Sequence, residues 1–259
     1  MKKIIISIFC FIVFVFPIAA QSLTEKANAE YEKDRYTEAL SLYLQAAKEE
    51  GTSSDLYYNI GNAYYRLGDL GRAVLNYERA LILNPGNEEA RTNLDFVKTK
   101  IQTRITEEKS FVIQVIDDFV DSSTSNTWAI IAAVSFVLLV ICIFLYIFSS
   151  IIILRKIGFF GGGVMLLFTA ISLACAFNVK SKNEAKNKAV VVSPSVTLST
   201  VPRIPKDKTE EAFILTSGNK VTIVDSVSNK NGDTKEIWYD VKVDASHRAW
   251  LKSENVEKI

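Results

Sequence analysis

A chain of 259 residues and 28.9 kDa has room for one large domain or two small ones. Lys and Arg number 30 against 29 Asp and Glu, and a pI near 7.6 excludes a broadly basic nucleic-acid binder. Mean hydropathy is +0.16 with 49% hydrophobic residues, high for a soluble protein, and the excess sits in residues 1–20 and 128–177. About 107 residues lie before the second apolar block and 82 after it, too few on either side for a large catalytic fold. Formal charge divides as +2 for 1–20, −6 for 21–127, +2 for 128–177 and +3 for 178–259.

Residues 1–20 carry Lys2 and Lys3, an apolar run from Ile4 to Phe16, and a small-residue end at Pro17-Ile18-Ala19-Ala20. That order predicts a secretory signal peptide cut after Ala20, with an uncleaved anchor as the alternative; either exports the residues after it. Cys10 lacks the small residues that a lipid-attachment site needs before its cysteine. Cys142 and Cys175 both fall in the second apolar block, so the soluble parts have no disulfide framework, cysteine zinc site or cysteine nucleophile.

Beyond Gln21 the chain has an internal period of 34 residues. Ala27, Tyr31, Tyr36, Ala39, Tyr43 and Ala46 recur as Gly61, Tyr65, Leu70, Ala73, Tyr77 and Ala80, and the second copy runs on to Pro85. Each copy predicts two helices, 23–33 with 36–49 and 54–67 with 70–83. Small residues let the paired helices approach, and tyrosines and leucines fill the grooves between them. Packing is the favoured reason for eight of the ten tyrosines falling between Tyr31 and Tyr77. Glu88 to Ile101 reads as a third first-helix or a capping helix, and Glu78 falls on the presumed outer face.

These residues resemble the tetratricopeptide repeat. The second copy carries Tyr57, Ile60, Gly61, Tyr64, Ala73, Tyr77, Ala80 and Pro85 at the family's spacing; the first has Glu30 where Tyr64 sits and Gly51 where Pro85 sits. The resemblance implies a protein- and peptide-binding solenoid with its ligand along the first helices. The candidate groove is then Asn28, Tyr58, Asn59 and Asn62. Some relatives clamp a terminal carboxylate with asparagines and cations. Here Thr24, Glu89 and Asn93 stand where the cations would be, so that clamp is not expected.

Residues 106–126 form an amphipathic segment and linker. Phe111, Val112, Val115, Ile116, Phe119 and Val120 share one helical face. A helix lying on the bilayer and a helix docked on the repeats both fit. Docking is favoured, because Glu107, Glu108, Asp117, Asp118 and Asp121 are acidic whereas surface helices usually carry Lys and Arg. Residues 127–177 then predict two membrane spans, about 128–148 and 157–177, joined near Arg155-Lys156, with Trp128 at headgroup level. Gly158 and Gly162, with Ala129 and Ala133, offer small faces for helix packing. Lys180, Lys182, Lys186 and Lys188 after the second span oppose the positive-inside rule if the signal peptide sets the topology.

A linker, 178–188, leads to residues 189–259, where period-two alternation predicts strands at 189–198, 211–216, 219–227, 236–243 and 248–252, with a turn at Asn231-Gly232-Asp233. Trp238, Tyr239 and Trp250 are the expected core bulk. The runs Thr216 to Val221, Trp238-Tyr239-Asp240-Val241 and Arg248-Ala249-Trp250-Leu251 resemble a bacterial SH3-like barrel, with Ala249 where glycine is usual. Ser217-Gly218-Asn219-Lys220 matches a Ser-x-x-Lys pattern but precedes a strand and lacks companion motifs, so a turn is favoured. His247 is the sole histidine.

The expected fold class is therefore a multidomain membrane protein: an all-α tetratricopeptide-repeat solenoid over 21–105, a transmembrane α-hairpin, and an all-β SH3-like barrel. The whole order resembles the E-type members of the Bacteroides aerotolerance (Bat) operon family. That resemblance implies a non-enzymatic inner-membrane component working with von Willebrand A membrane proteins encoded beside a MoxR-type ATPase. Expected partners are such proteins and the lipid bilayer, with no cofactor, metal or nucleic acid. Both soluble parts are expected in the periplasm. The alternative is a cell-wall protein whose barrel binds peptidoglycan.

Overall fold

The computed structural model describes residues 22–101, 110–184, 187–231, 234–244 and 246–259. The expected signal peptide with Cys10, residues 102–109, and Gly232 and Asp233 of the expected turn lie outside them. The chain divides after Gly51 into two compact units.

The first unit holds α1, Leu23–Glu32, and α2, Tyr36–Glu49. Ser22 accepts from the Glu25 amide while the Glu25 carboxylate accepts from the Ser22 amide, a reciprocal cap that satisfies two end donors. Ala27, Ala39 and Ala46 are fully buried, and their small side chains bring the two helices together over Tyr43.

The second unit begins with α3, Ser54–Arg66, α4, Leu70–Leu83, and α5, Glu88–Lys98. Ser53, Asp69 and Asn87 cap the three helices through their side chains. Gly68, at φ +83°, takes the left-handed conformation that the turn between α3 and α4 needs. Ser54 donates to the Ala80 carbonyl at 2.9 Å and accepts from Asn87 at 2.9 Å, stitching all three helices together beside Pro85. A Cβ on Gly61 would lie 2.7 Å from the buried Tyr77 ring.

Next come α6, Phe111–Val120, α7, Ser125–Phe148, and α8, Ile152–Glu184. Both α7 and α8 are long and apolar enough to cross a membrane, with hydropathies of 3.1 and 2.0 and most of that surface exposed. They pair as an antiparallel hairpin. Gly158 sits against the Cys142 carbonyl and Tyr146 backbone at one end, and Ser125 donates to the Ala176 carbonyl at the other. Ala129 and Ala133 are exposed; Trp128, Ala132 and Ser135 face α8 instead, one position round the helix. The packing face is set by the bulk of Trp128 seated among Cys175, Ala176 and Val179.

The remainder of the unit is seven antiparallel strands: β1 Lys188–Val191, β2 Ser195–Ser199, β3 Glu211–Thr216, β4 Lys220–Asn231, β5 Thr234–Lys242, β6 Arg248–Lys252 and β7 Val256–Lys258. They form one sheet ordered β3-β2-β6-β5-β4-β1-β7. Two differences from expectation have plain causes. The single strand expected over 189–198 is two, because Pro194 has no amide for a ladder and the chain turns there. The sheet does not close into a barrel: β3 and β7 form its two ends.

The sheet's core is aliphatic, built from Val196, Leu198, Leu215, Val221, Val241, Ala249 and Leu251. Trp250 is half-exposed, because alternation along β6 turns Ala249 and Leu251 inward and Trp250 outward. Trp238 is buried, but it alternates with the core-facing Tyr239 and Val241 and so shares the opposite face with Asp240, which holds Arg248 at 2.5 Å. Of the two tryptophans expected as core bulk, Trp238 is buried, though outside this aliphatic cluster, and Trp250 is only partly buried.

Gly61→Ala should lower stability by roughly 1–3 kcal/mol, because the Tyr77 ring that must yield is buried and held by a hydrogen bond. Thr92→Ala on the exposed side of α5 should change it by less than about 0.5 kcal/mol. Thermal unfolding of the full chain in detergent distinguishes the two; equal midpoints would contradict the tight crossing.

Candidate protein-interaction site

The 34-residue period is repeated in hydrogen bonds as well as in packing. Tyr43 donates to the Asn28 side-chain carbonyl at 2.6 Å, and Tyr77, 34 positions on, donates to Asn62 at 2.7 Å. Burial pushes the Tyr43 phenol up to about 12, which keeps it a neutral donor. Asn62 also accepts from Asn93 at 2.9 Å. The amide oxygens of Asn28 and Asn62 thus tie first helix to second helix within each repeat. Asn59 is half-buried, and Tyr58 tilts against Tyr77 with ring centres 6.2 Å apart.

Beside Asn62 and Asn93 the structure brings together a strip that the residue pattern alone did not single out. Tyr65 on α3 meets Phe96 on α5 edge-to-face at 5.9 Å. The Lys100 ammonium, just past α5, lies 4.8 Å from the Phe96 ring centre and 5.5 Å from that of Tyr65. Half of Phe96 is exposed. Asn93 and Phe96 are three apart on one side of α5, and Lys100, in the turn that follows, reaches the same aromatic pair. That spacing was available in the sequence; its partnership with α3 was not. A cation therefore stands on this face although Thr24, Glu89 and Asn93 occupy the places where cations were sought.

The other side of α4 is covered. Val190 is fully buried in the cluster of Ala73, Val74, Tyr77 and Leu94, while its neighbours Ala189 and Val191 belong to the sheet's own core. A Cβ on Gly71 would lie 2.7 Å from the Val191 carbonyl and closer still to the Ser217 hydroxyl. Gly218, at φ +91°, could not carry a Cβ without meeting Ile101 at 2.6 Å. The Ser-x-x-Lys stretch is therefore a tight turn pressed on the helices. Its lysine is engaged as well. Glu78 accepts from Lys220 at 2.8 Å and from Lys98 at 3.4 Å. Its expected place on an outer face is corrected: only 13% of its side chain is exposed. Desolvation alone would raise its carboxyl, but the two ammonium groups outweigh it and hold the group below the ordinary carboxylate value. Arg72 joins Asp69 at 2.8 Å to Glu257 of β7 at 2.9 Å, and those carboxylates push its guanidinium up. Arg79 donates to the Lys258 carbonyl at 2.6 Å.

Among the described residues no group of three or more His, Cys, Asp or Glu side chains is placed to hold a metal ion. His247, just before β6, pairs with Asp244 at 2.6 Å beside Phe213.

Comparison with known proteins meets this geometry at the helices. The tetratricopeptide repeat family matches residues 54–87, which are α3, α4 and the exit through Pro85 to Asn87. A second repeat family, described as TPR repeat, matches residues 27–68. The chain contains tetratricopeptide repeats. Relatives include tetratricopeptide repeat protein 16 of Homo sapiens and of Macaca fascicularis, each 32% identical over 71 residues. That stretch is 27% of this chain and 8% of the relative, so the likeness spans less than a tenth of those proteins.

Glu78 yields a pH prediction. Its folded pKa lies below its unfolded one, so its contribution is fully present above the unfolded value and is lost as pH falls through the folded value. From about pH 6 to about pH 3 the wild-type unfolding midpoint should therefore fall more than that of Glu78→Gln. At about pH 7 the variant should be less stable by roughly 1–3 kcal/mol, the worth of a charge-assisted hydrogen bond.

Proposed function

We propose that this protein is a membrane-anchored, non-enzymatic adaptor that holds a protein partner on the α3–α5 face of its repeats. The observation that carries the reading is the asymmetry of the helical layer: the outer side of α4 is closed by β1, whereas Tyr65, Phe96 and Lys100 stand on a face left open. An aromatic pair capped by an ammonium suits an extended segment with an apolar anchor and an acidic neighbour. Asn59 adds an amide to this strip. Asn62, whose oxygen is already engaged by Tyr77 and Asn93, contributes its amide hydrogens in this proposal.

The two apolar helices serve as the anchor. Confinement beside the bilayer raises the effective concentration of a co-resident partner, so a modest site suffices. Because β1 packs on α4, the repeat helices of the second unit and the sheet occupy one side of the membrane in this reading. We assign that side to the periplasm from the charged, apolar and small-residue order of residues 1–20. The partner class is a membrane protein of the von Willebrand A type, by the resemblance to the Bat operon family, and the cell envelope is then a bacterial inner membrane. The open sheet serves to brace the repeats. Peptidoglycan binding through an SH3-like barrel has no feature of the sheet to favour it.

Two outcomes test this reading. Phe96→Ala, at a half-exposed position, should leave the unfolding midpoint nearly unchanged and sharply reduce co-purification of membrane proteins with the tagged chain. Undiminished recovery of the full partner set would refute the α3–α5 face as the contact. Alkaline phosphatase fused after Ile259 should be active; a stable but inactive fusion would refute the periplasmic assignment.

A further inference from the structure

The helix α6 departs from the favoured expectation that it docks on the repeats. Phe111 is 77% exposed, Val112 62% and Ile116 56%. Val115 and Phe119 complete the stripe, since spacings of three and four bring these five side chains onto one helical face. What fastens α6 is the hairpin. Phe119 packs on Trp128 with ring centres 5.3 Å apart, the Trp128 indole donates to the Val120 carbonyl at 3.0 Å, and Val120 packs against the cluster around Trp128. On the polar side, Lys182 of α8 holds Asp117 at 3.4 Å and Asp121 at 3.0 Å.

We propose that α6 lies in the interfacial layer of the bilayer, with the stripe from Phe111 to Phe119 buried among acyl chains beside the hairpin; the proposal rests on reading α7 and α8 as membrane spans. Three observations select lipid as the occupant. The stripe starts at Trp128, a residue type that seats at headgroup level, so α6 leaves the hairpin where the apolar layer ends. The same apolar surface continues onto the spans, where Ile130 and Phe177, next to the Trp128 cluster, are 64% and 71% exposed. The charge objection to a surface helix also weakens: Asp117 and Asp121 are paired with Lys182, which offsets part of their charge. The same pairing offsets a cation that the positive-inside rule would keep from this side. Such a helix fixes the height of the adjoining repeats above the membrane.

The test is photo-crosslinking of the full chain in nanodiscs of phosphatidylethanolamine and phosphatidylglycerol, with a benzophenone amino acid placed in turn at Val115, Asp118 and Leu138. Mass spectrometry then reads the adducts. The proposal expects phospholipid adducts at Val115 comparable with those at Leu138 in α7, and several-fold fewer at Asp118. Protein adducts at Val115, from a second copy or a co-purified partner, with lipid adducts at Leu138, would overturn it while leaving the membrane spans standing. Equal lipid yields at Val115 and Asp118 would overturn it too, since no face would then be selected. Failure of Leu138 to reach lipid would instead overturn the membrane reading on which it rests.

Discussion

The second unit depends on one strand being buried on both faces. β1 is only four residues long, yet Ala189, Val190 and Val191 are all fully buried. A strand directs successive side chains to opposite sides, so Ala189 and Val191 enter the sheet's core while Val190 enters the helical layer. One short segment thus belongs to two hydrophobic cores. Separating them would return Val190 and the α4 surface beneath it to water. The glycines at 71 and 218 have their physical reason here, because a backbone that must approach within van der Waals contact tolerates no Cβ.

Charge is arranged to serve that joint. Glu78 would be costly where it lies, enclosed and desolvated, without two ammonium groups aimed at it from α5 and β4. Arg72 reaches from α4 to β7 in the same manner. At the hairpin, Lys182 and the acids of α6 form a second set that holds an amphipathic helix to the end of α8. Each set includes a pair of residues far apart in the chain, and each adds to an apolar contact between the same elements.

The repeats show how architecture separates structural from exposed polar groups. Asn28 and Asn62 occupy equivalent positions, and a tyrosine 15 residues later donates to each. A polar residue recurring with the repeat period is thereby explained by the repeat itself. Phe96 and Lys100 have no counterpart in that bond, and their exposure on a helical layer whose other side is covered is what supports the proposed contact there.

The sequence by itself determined the local elements. The 34-residue period located α1 to α4 with their tyrosine and alanine packing, length and hydropathy located the two apolar helices, and alternation located most of the strands, because each signal is carried by residues adjacent along the chain. The tertiary structure alone decided what those elements face. Glu78 read as an outer residue, Trp250 as core, α6 as docked on the repeats, and the sheet as a closed barrel. Each depended on a partner distant in sequence: Lys220 for Glu78, the aliphatic layer opposite β6 for Trp250, Trp128 and Lys182 for α6, and the splayed ends β3 and β7 for the sheet. Periodicity records which side of a helix or strand is apolar, but not which surface will cover it.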